Sequence, residues 1–161
     1  MPELESMRIL VLGIGNLLLA DEGVGVHLVH ALIAEGGLEG VTALDAGTAI
    51  LDALPDIAAA DRLIVVDAMI AGGRSGSIYR LPLDECAKKN YIASMHGFDL
   101  SSLLALSCKE GPLNVSVIGV EPARIAWGME LSPEVSAVMP ELIRIVKEEV
   151  KVLREESFIE H

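Results

Sequence analysis

Two uninterrupted apolar runs, RILVLGI (8–14) and RLIVVDAM (62–69), constrain this chain more than any other feature. Neither alternates polar with apolar residues, so neither fits a strand with one wet face. They read as strands buried on both sides, which requires helices above and below. The sequence between them supplies the helices. Val24, Leu28 and Leu32, with Val29 and Ile33, recur at helical spacing behind Asp21 and Glu22, and Gly36-Gly37 ends the pattern. GVTALDAGT (40–48) is a second strand, and ILDALPDIAAAD (50–61) is a short helix and loop whose length Pro55 limits.

The second half continues the alternation. A flexible turn, AGGRSGS (71–77), precedes IYRLPL (78–83), a strand that Pro82 confines to a sheet edge. DECAKKNYIASMHG (84–97) reads as a polar connection, DLSSLLALS (99–107) as a helix capped by Asp99, and LNVSVIGVEP (113–122) as the last strand. Ser132-Pro133-Glu134 opens the longest helix, with an apolar stripe of Val135, Val138, Met139, Leu142, Ile145, Val146, Val150 and Leu153 and a kink expected at Pro140. The expected fold class is α/β: one three-layer domain over residues 1–161, with a polar leader (1–7) and a tail (156–161). Its twisted sheet has about five strands, mostly parallel, with one antiparallel edge strand and helices on both faces. Two Phe, two Tyr and one Trp leave an aliphatic core.

Charge narrows the function classes. Twenty-four acidic against twelve basic residues give a net charge of −12, which repels nucleic acid and anionic lipid and suits a cation or a polypeptide partner. No apolar run reaches the roughly 18 residues of a membrane span, and the acidic opening MPELESMR is unlike a secretory signal. A soluble, cytoplasmic protein is therefore expected, and a monomer because no large apolar stripe is left over once the helices are packed. Cys86 and Cys108 lack the spacing of a CxxC pair and read as reduced thiols.

Ligands of such sheets bind beyond the carboxyl ends of the strands. The expected rim is acidic: Asp21 and Glu22 after strand one, Asp45 in strand two, Asp67 in strand three and Glu121 after the last. A dinucleotide reading fails at the loop itself, because Gly13 and Gly15 are followed by Leu18 where a third glycine is required, and Asp21 and Glu22 would repel a phosphate. No P-loop, HExxH or G-x-S-x-G pattern is present. Glu22, Asp67 and His96 can instead meet as carboxylate and imidazole donors to a transition metal. Singly, each has a simpler reading as a cap, a strand-end hydrogen-bond acceptor or a solvated loop residue. His27 and His30 fit a solvated helix face better than a metal site, a Cys86–His96 thiol pair lacks any sign of activation, and Trp127 reads as a packing residue or a peptide contact.

Taken together, ILVLGIGNLLLADEGVGV, DAGT, LIVVDA, SMHGFDL and GVEPARIAWGMELSPEV resemble the nickel–iron hydrogenase maturation proteases. The likeness runs from residue 7 to about 150; its most specific parts are G-x-G-N-x-x-x-x-D-E-G-x-G-V and G-x-x-P…W-G-x-x-L-S-P. It implies an endopeptidase that removes a C-terminal extension from the precursor of the hydrogenase large subunit once nickel is in place. It also implies that Glu22, Asp67 and His96 are ligands of nickel supplied by the bound substrate, with other divalent cations able to substitute in purified samples. Asp45 matches a further acidic position near the cleft, although the family more often has glycine where this chain has Ala46. The alternative from a different class is a nickel-sensing maturation chaperone that binds the same precursor and cuts nothing.

Overall fold

The computed structural model describes residues 7–89, 91 and 114–159. Strands β1 (Ile9–Ile14), β2 (Val41–Gly47), β3 (Arg62–Ala68), β4 (Ile78–Pro82) and β5 (Asn114–Val120) form one sheet in the order β2-β1-β3-β5-β4. The first four of that order run parallel; β4 is the antiparallel edge strand, paired with β5. The helices are α1 (Val24–Ala34), α2 (Leu54–Ala59), α3 (Leu83–Lys89) and α4 (Pro133–Ile159), and short 3₁₀ turns at Ala20–Gly23 and Ile50–Ala53 lead into α1 and α2.

Side-chain alternation sorts the core into two layers. Ile9, Val11, Ile64, Val66, Ile118 and Val120 face α1 and α4, whereas Leu10, Leu12, Leu63, Val65 and Val117 face Ile57 of α2 and Cys86 of α3. All of β1 is buried, and so is β3 beyond Arg62, as expected of strands covered on both sides. The stripe on α4 packs as anticipated, with Val135, Leu142, Val146, Val150 and Leu153 buried and Val138, Met139 and Ile145 half-buried against them. Ser132 caps that helix by accepting the Val135 N–H. The helix continues through Pro140.

Two local expectations need correction. Residues 83–89 form α3 where a polar connection was expected: Asp84 and Glu85 lie in its first turn and Lys88 and Lys89 in its last, so each charge complements the helix dipole. Pro55 lies in the first turn of α2, where its missing N–H costs nothing, and so starts that helix rather than limiting it. The turn at 71–77 joins strands that are not neighbours in the sheet, because β5 inserts between β3 and β4. The expected helix over 99–107, Cys108 and His96 lie outside the described residues.

The glycines that resemble a phosphate fingerprint are consumed by packing. A Cβ on Gly13 would lie 2.3 Å from the Gly25 carbonyl oxygen, and one on Gly25 would lie 2.0 Å from that of Val66 and 2.7 Å from that of Ile14. Helix α1 thus sits backbone to backbone on β1 and β3, leaving no open cradle for an anion at that point. Gly25→Ala is expected to lift α1 from the sheet and destabilise the protein by about 3 kcal/mol, read as a fall in the urea midpoint; an unchanged midpoint would mean that this contact is not rigid.

Candidate functional site

The strand order locates the site. From β1 the chain crosses through α1 to β2 on one side, then returns through α2 on the other face to β3, so the connections diverge between β1 and β3. A crevice opens at such a switch point beyond the carboxyl ends of the strands. The chain leaving β1 supplies Glu22 from the 3₁₀ turn, and Asp67 lies near the end of β3.

Gly15 joins the two. Its φ of +134° is one that side-chain-bearing residues rarely adopt, and a Cβ there would lie 2.0 Å from the Glu22 carbonyl oxygen and 3.4 Å from Asp67 Oδ1. Only glycine lets the backbone of the Glu22 turn close this tightly beside the Asp67 carboxylate. Both acidic residues are buried, Glu22 at 5% and Asp67 at 1% exposure, and Asp67 Oδ1 also accepts the Ala68 N–H at 2.7 Å. Asn16 shapes the same turn, its Oδ1 accepting the Leu18 N–H.

The neighbouring carboxylate does something else. Asp21 is fully buried and accepts four hydrogen bonds from the β5–α4 loop: the Ala123 and Arg124 N–H groups and the Ser132 hydroxyl on Oδ2, and the Ser132 N–H on Oδ1, at 2.7–2.9 Å. Backbone bonds complete the clamp, since Ala20 N–H donates to Gly128 O, Gly128 N–H to Leu18 O and Asp21 N–H to Arg124 O. Ala20 is held at a φ of +50°, uncommon for a residue with a side chain. The acidic pair that stood out in the sequence is therefore divided: Asp21 fixes a loop, while Glu22 is buried in the turn whose backbone packs on Gly15. Nothing local announces the clamp, because Ser132 is 111 residues away.

Glu121 also works as a clamp. Its carboxylate accepts the Ala71 N–H and the Tyr79 hydroxyl, holding the β3–β4 loop. Asp45 pairs with His30 Nε2 of α1 at 2.8 Å. Its position in β2 shares a face with Val41 and Ala43, whereas Asp67 shares the opposite face with Leu63 and Val65, and β1 lies between the two strands. The Glu22 backbone and the Asp67 carboxylate both lie close to Gly15, and Asp45 pairs elsewhere; His96 lies outside the described residues. Among the described residues, no three histidine, cysteine or acidic side chains are grouped to hold a metal. Carboxylate oxygens on two separate elements suit a divalent cation with positions left open for other donors.

Neither Cys86 nor His27 belongs to that chemistry. Burial, with Glu85 and Asp84 nearby, pushes the Cys86 thiol up to about 11, the reverse of an activated nucleophile. Burial also depresses the His27 imidazole below the ordinary histidine range, opposed in part by its hydrogen bond to the Met129 backbone, and its Nε2 has no partner among the described residues. Because the folded pKa lies below the unfolded one, the unfolded chain takes up the proton first. Stability is therefore fully present above about 6.5, the ordinary histidine value, and falls as pH drops through the depressed pKa. The melting temperature between pH 7.5 and 5.5 should fall more steeply for the native protein than for His27→Gln, and parallel slopes would remove His27 from the account.

With this geometry in place, the comparisons with known proteins become informative. A family model for hydrogenase maturation proteases matches residues 26–149. Hydrogenase 2 maturation protease of Escherichia coli is 35% identical over 138 residues, spanning 83% of this chain and 84% of that protein. The structure of the hydrogenase maturating endopeptidase HybD from E. coli superposes with a TM-score of 0.77 at 34% identity, covering 93% of this chain and 94% of that one. The [NiFe] hydrogenase maturation protease HybD from Thermococcus kodakarensis gives 0.76 at 27% identity, covering 88% and 98%. A five-stranded mixed sheet with Glu22 and Asp67 at its switch point, matched along most of its length by these relatives, belongs to the hydrogenase maturation protease family.

Proposed function

We propose that this protein is an endopeptidase that removes a C-terminal extension from the nickel-loaded precursor of a nickel–iron hydrogenase large subunit. The observation that carries this reading is the placement of two buried acidic residues, Glu22 and Asp67, beside Gly15 at the switch point of a fold of this family. Nickel arrives as part of the substrate. Glu22, Asp67 and His96 offer two carboxylates and an imidazole to it, a donor set suited to a divalent transition metal. Other divalent cations would use the same donors in purified samples.

The chain's own part is positioning. Glu22 is set by the turn that Gly15 permits and Asp67 by the end of β3, two rigid attachments that fix where the cargo cation sits. Fixing the cation fixes the peptide attached to the same subunit, and holding reactants in register supplies a large share of a hydrolytic rate enhancement. A cation in that place supplies Lewis acidity toward a peptide carbonyl or a water molecule. A filled metal site in the precursor thereby becomes the condition for alignment. Among the described residues, no helix is long and apolar enough to cross a membrane. The net charge of −12 favours a monomer acting on a polypeptide over binding to nucleic acid.

The test is intact-mass analysis of a purified nickel-loaded large-subunit precursor after incubation with the protein. Loss of one C-terminal peptide is the expected result. A precursor that is bound but never cut would assign the protein to the maturation chaperones instead.

A further inference from the structure

Seven large apolar side chains are well exposed among the described residues, and six of them leave the same end of the sheet. Leu18 follows β1, Leu51 follows β2, Ile70 follows β3, and Ile125, Trp127 and Met129 follow β5; Ile33 on α1 is the exception. A soluble protein scatters such residues singly, and their concentration on one rim marks an interaction surface. This is the rim that holds Glu22 and Asp67.

The central part of the patch is held in place. The Leu18–Ala20 and Gly128 backbones are bonded to one another, Leu19 and Gly128 form a β-bridge, and Asp21 ties Ala123, Arg124 and Ser132 to the same turn. Leu18, Ile125, Trp127 and Met129 are thus presented outward by a fixed pair of loops, with Trp127 at 79% exposure. Apolar side chains fixed outward lose little conformational entropy when covered.

Charge selects the occupant. A second copy would bring another −12 to a rim where Asp52 and Glu130 are exposed together with Arg124 and where Glu22 and Asp67 are buried, and nucleic acid or anionic lipid would be repelled as well. We propose that this rim docks an extended apolar segment of the polypeptide substrate, flanked by basic residues, with Trp127 as its anchor and the scissile bond delivered to Glu22 and Asp67. The proposal rests on the endopeptidase reading above.

Trp127 is the only tryptophan in the chain, so incorporated fluorotryptophan places a single fluorine reporter on the patch. Adding the nickel-loaded precursor should shift and broaden that resonance. Trp127→Ala should raise KM for cleavage about 30-fold while leaving kcat within about twofold, the scale of an interface anchor, and the melting temperature should hold because the side chain lies outside the core. KM of the native protein should rise with salt, as basic flanks on an acidic rim require. Cleavage with an unmoved resonance and an unchanged KM for Trp127→Ala would overturn the docking surface and leave the protease reading intact. A KM insensitive to salt would overturn the basic flanks. A resonance that shifts with protein concentration alone would make a second copy the occupant and overturn the proposal. A precursor neither bound nor cut would overturn both readings together.

Discussion

Asp21→Ala is expected to cost about 5 kcal/mol of stability, because four buried or partly buried donors lose their acceptor at once and each unsatisfied group costs about 1–3 kcal/mol. The donors are the N–H groups of Ala123, Arg124 and Ser132 and the Ser132 hydroxyl. In a chain of this size such a loss lowers the melting temperature by about 10–20 °C, which calorimetry would record. The damage reaches further than stability. Ser132 also caps α4, and the loop clamped by Asp21 carries Ile125, Trp127 and Met129, so KM for the precursor should rise in the same variant. A shift of less than about 2 °C, well below that scale, would show that water replaces the carboxylate and that the clamp holds little.

Glu22→Gln and Asp67→Asn are expected to do the opposite. Each substitution keeps the shape of the side chain and removes the charge that would hold the substrate's metal. Cleavage should fall by about 10³-fold, the scale of losing a group that stabilises the reacting centre, while the melting temperature moves by only a few degrees. Asp45→Asn is the control, because its carboxylate pairs with His30 on the other face of the sheet. Cleavage within about threefold of the native rate, far short of that loss, is the expected result for it. If Asp45→Asn proved as damaging as Asp67→Asn, the site would extend across β1 and the division between the two faces would be wrong.

The contrast between Asp21 and Glu22 shows where sequence reading succeeds and where it stops. Strands β1 and β3 are legible because burial on both faces leaves a run without polar alternation, and α4 is legible because one face of a long helix repeats its apolar residues. Pro82 correctly predicts the edge position of β4, since a proline cannot donate to a sheet ladder. Helix α3 hides because its terminal charges stabilise a short helix while giving its sequence the composition of a loop. The insertion of β5 between β3 and β4 depends on contacts far apart in the chain, and no local pattern records it.

The same limit applies to the site. Two adjacent carboxylates are alike in sequence, and only the fold turns Asp21 toward Ser132 and buries Glu22 in the turn beside Gly15. Gly15 carried a real signal that invites misreading: glycines after a first strand suggest a phosphate turn, whereas here they permit close packing of the following turn and helix backbone on the strands. The exposed apolar rim was illegible because exposure is a property of the packed chain. Helical periodicity accounts for the covered residues, and Leu18, Ile125 and Met129 look in sequence like any other core residue.

The proposed function makes Glu22 and Asp67 readers of a metal already seated in the substrate. The most direct measurement compares initial cleavage rates on one precursor preparation divided into nickel-loaded and nickel-free halves, each followed by intact mass with the native protein. Loss of a single C-terminal peptide from the loaded half, with the nickel-free half left whole, is the predicted result. Equal rates on the two halves would contradict it, and would turn these carboxylates from readers of the substrate's metal into groups that act on the peptide without it.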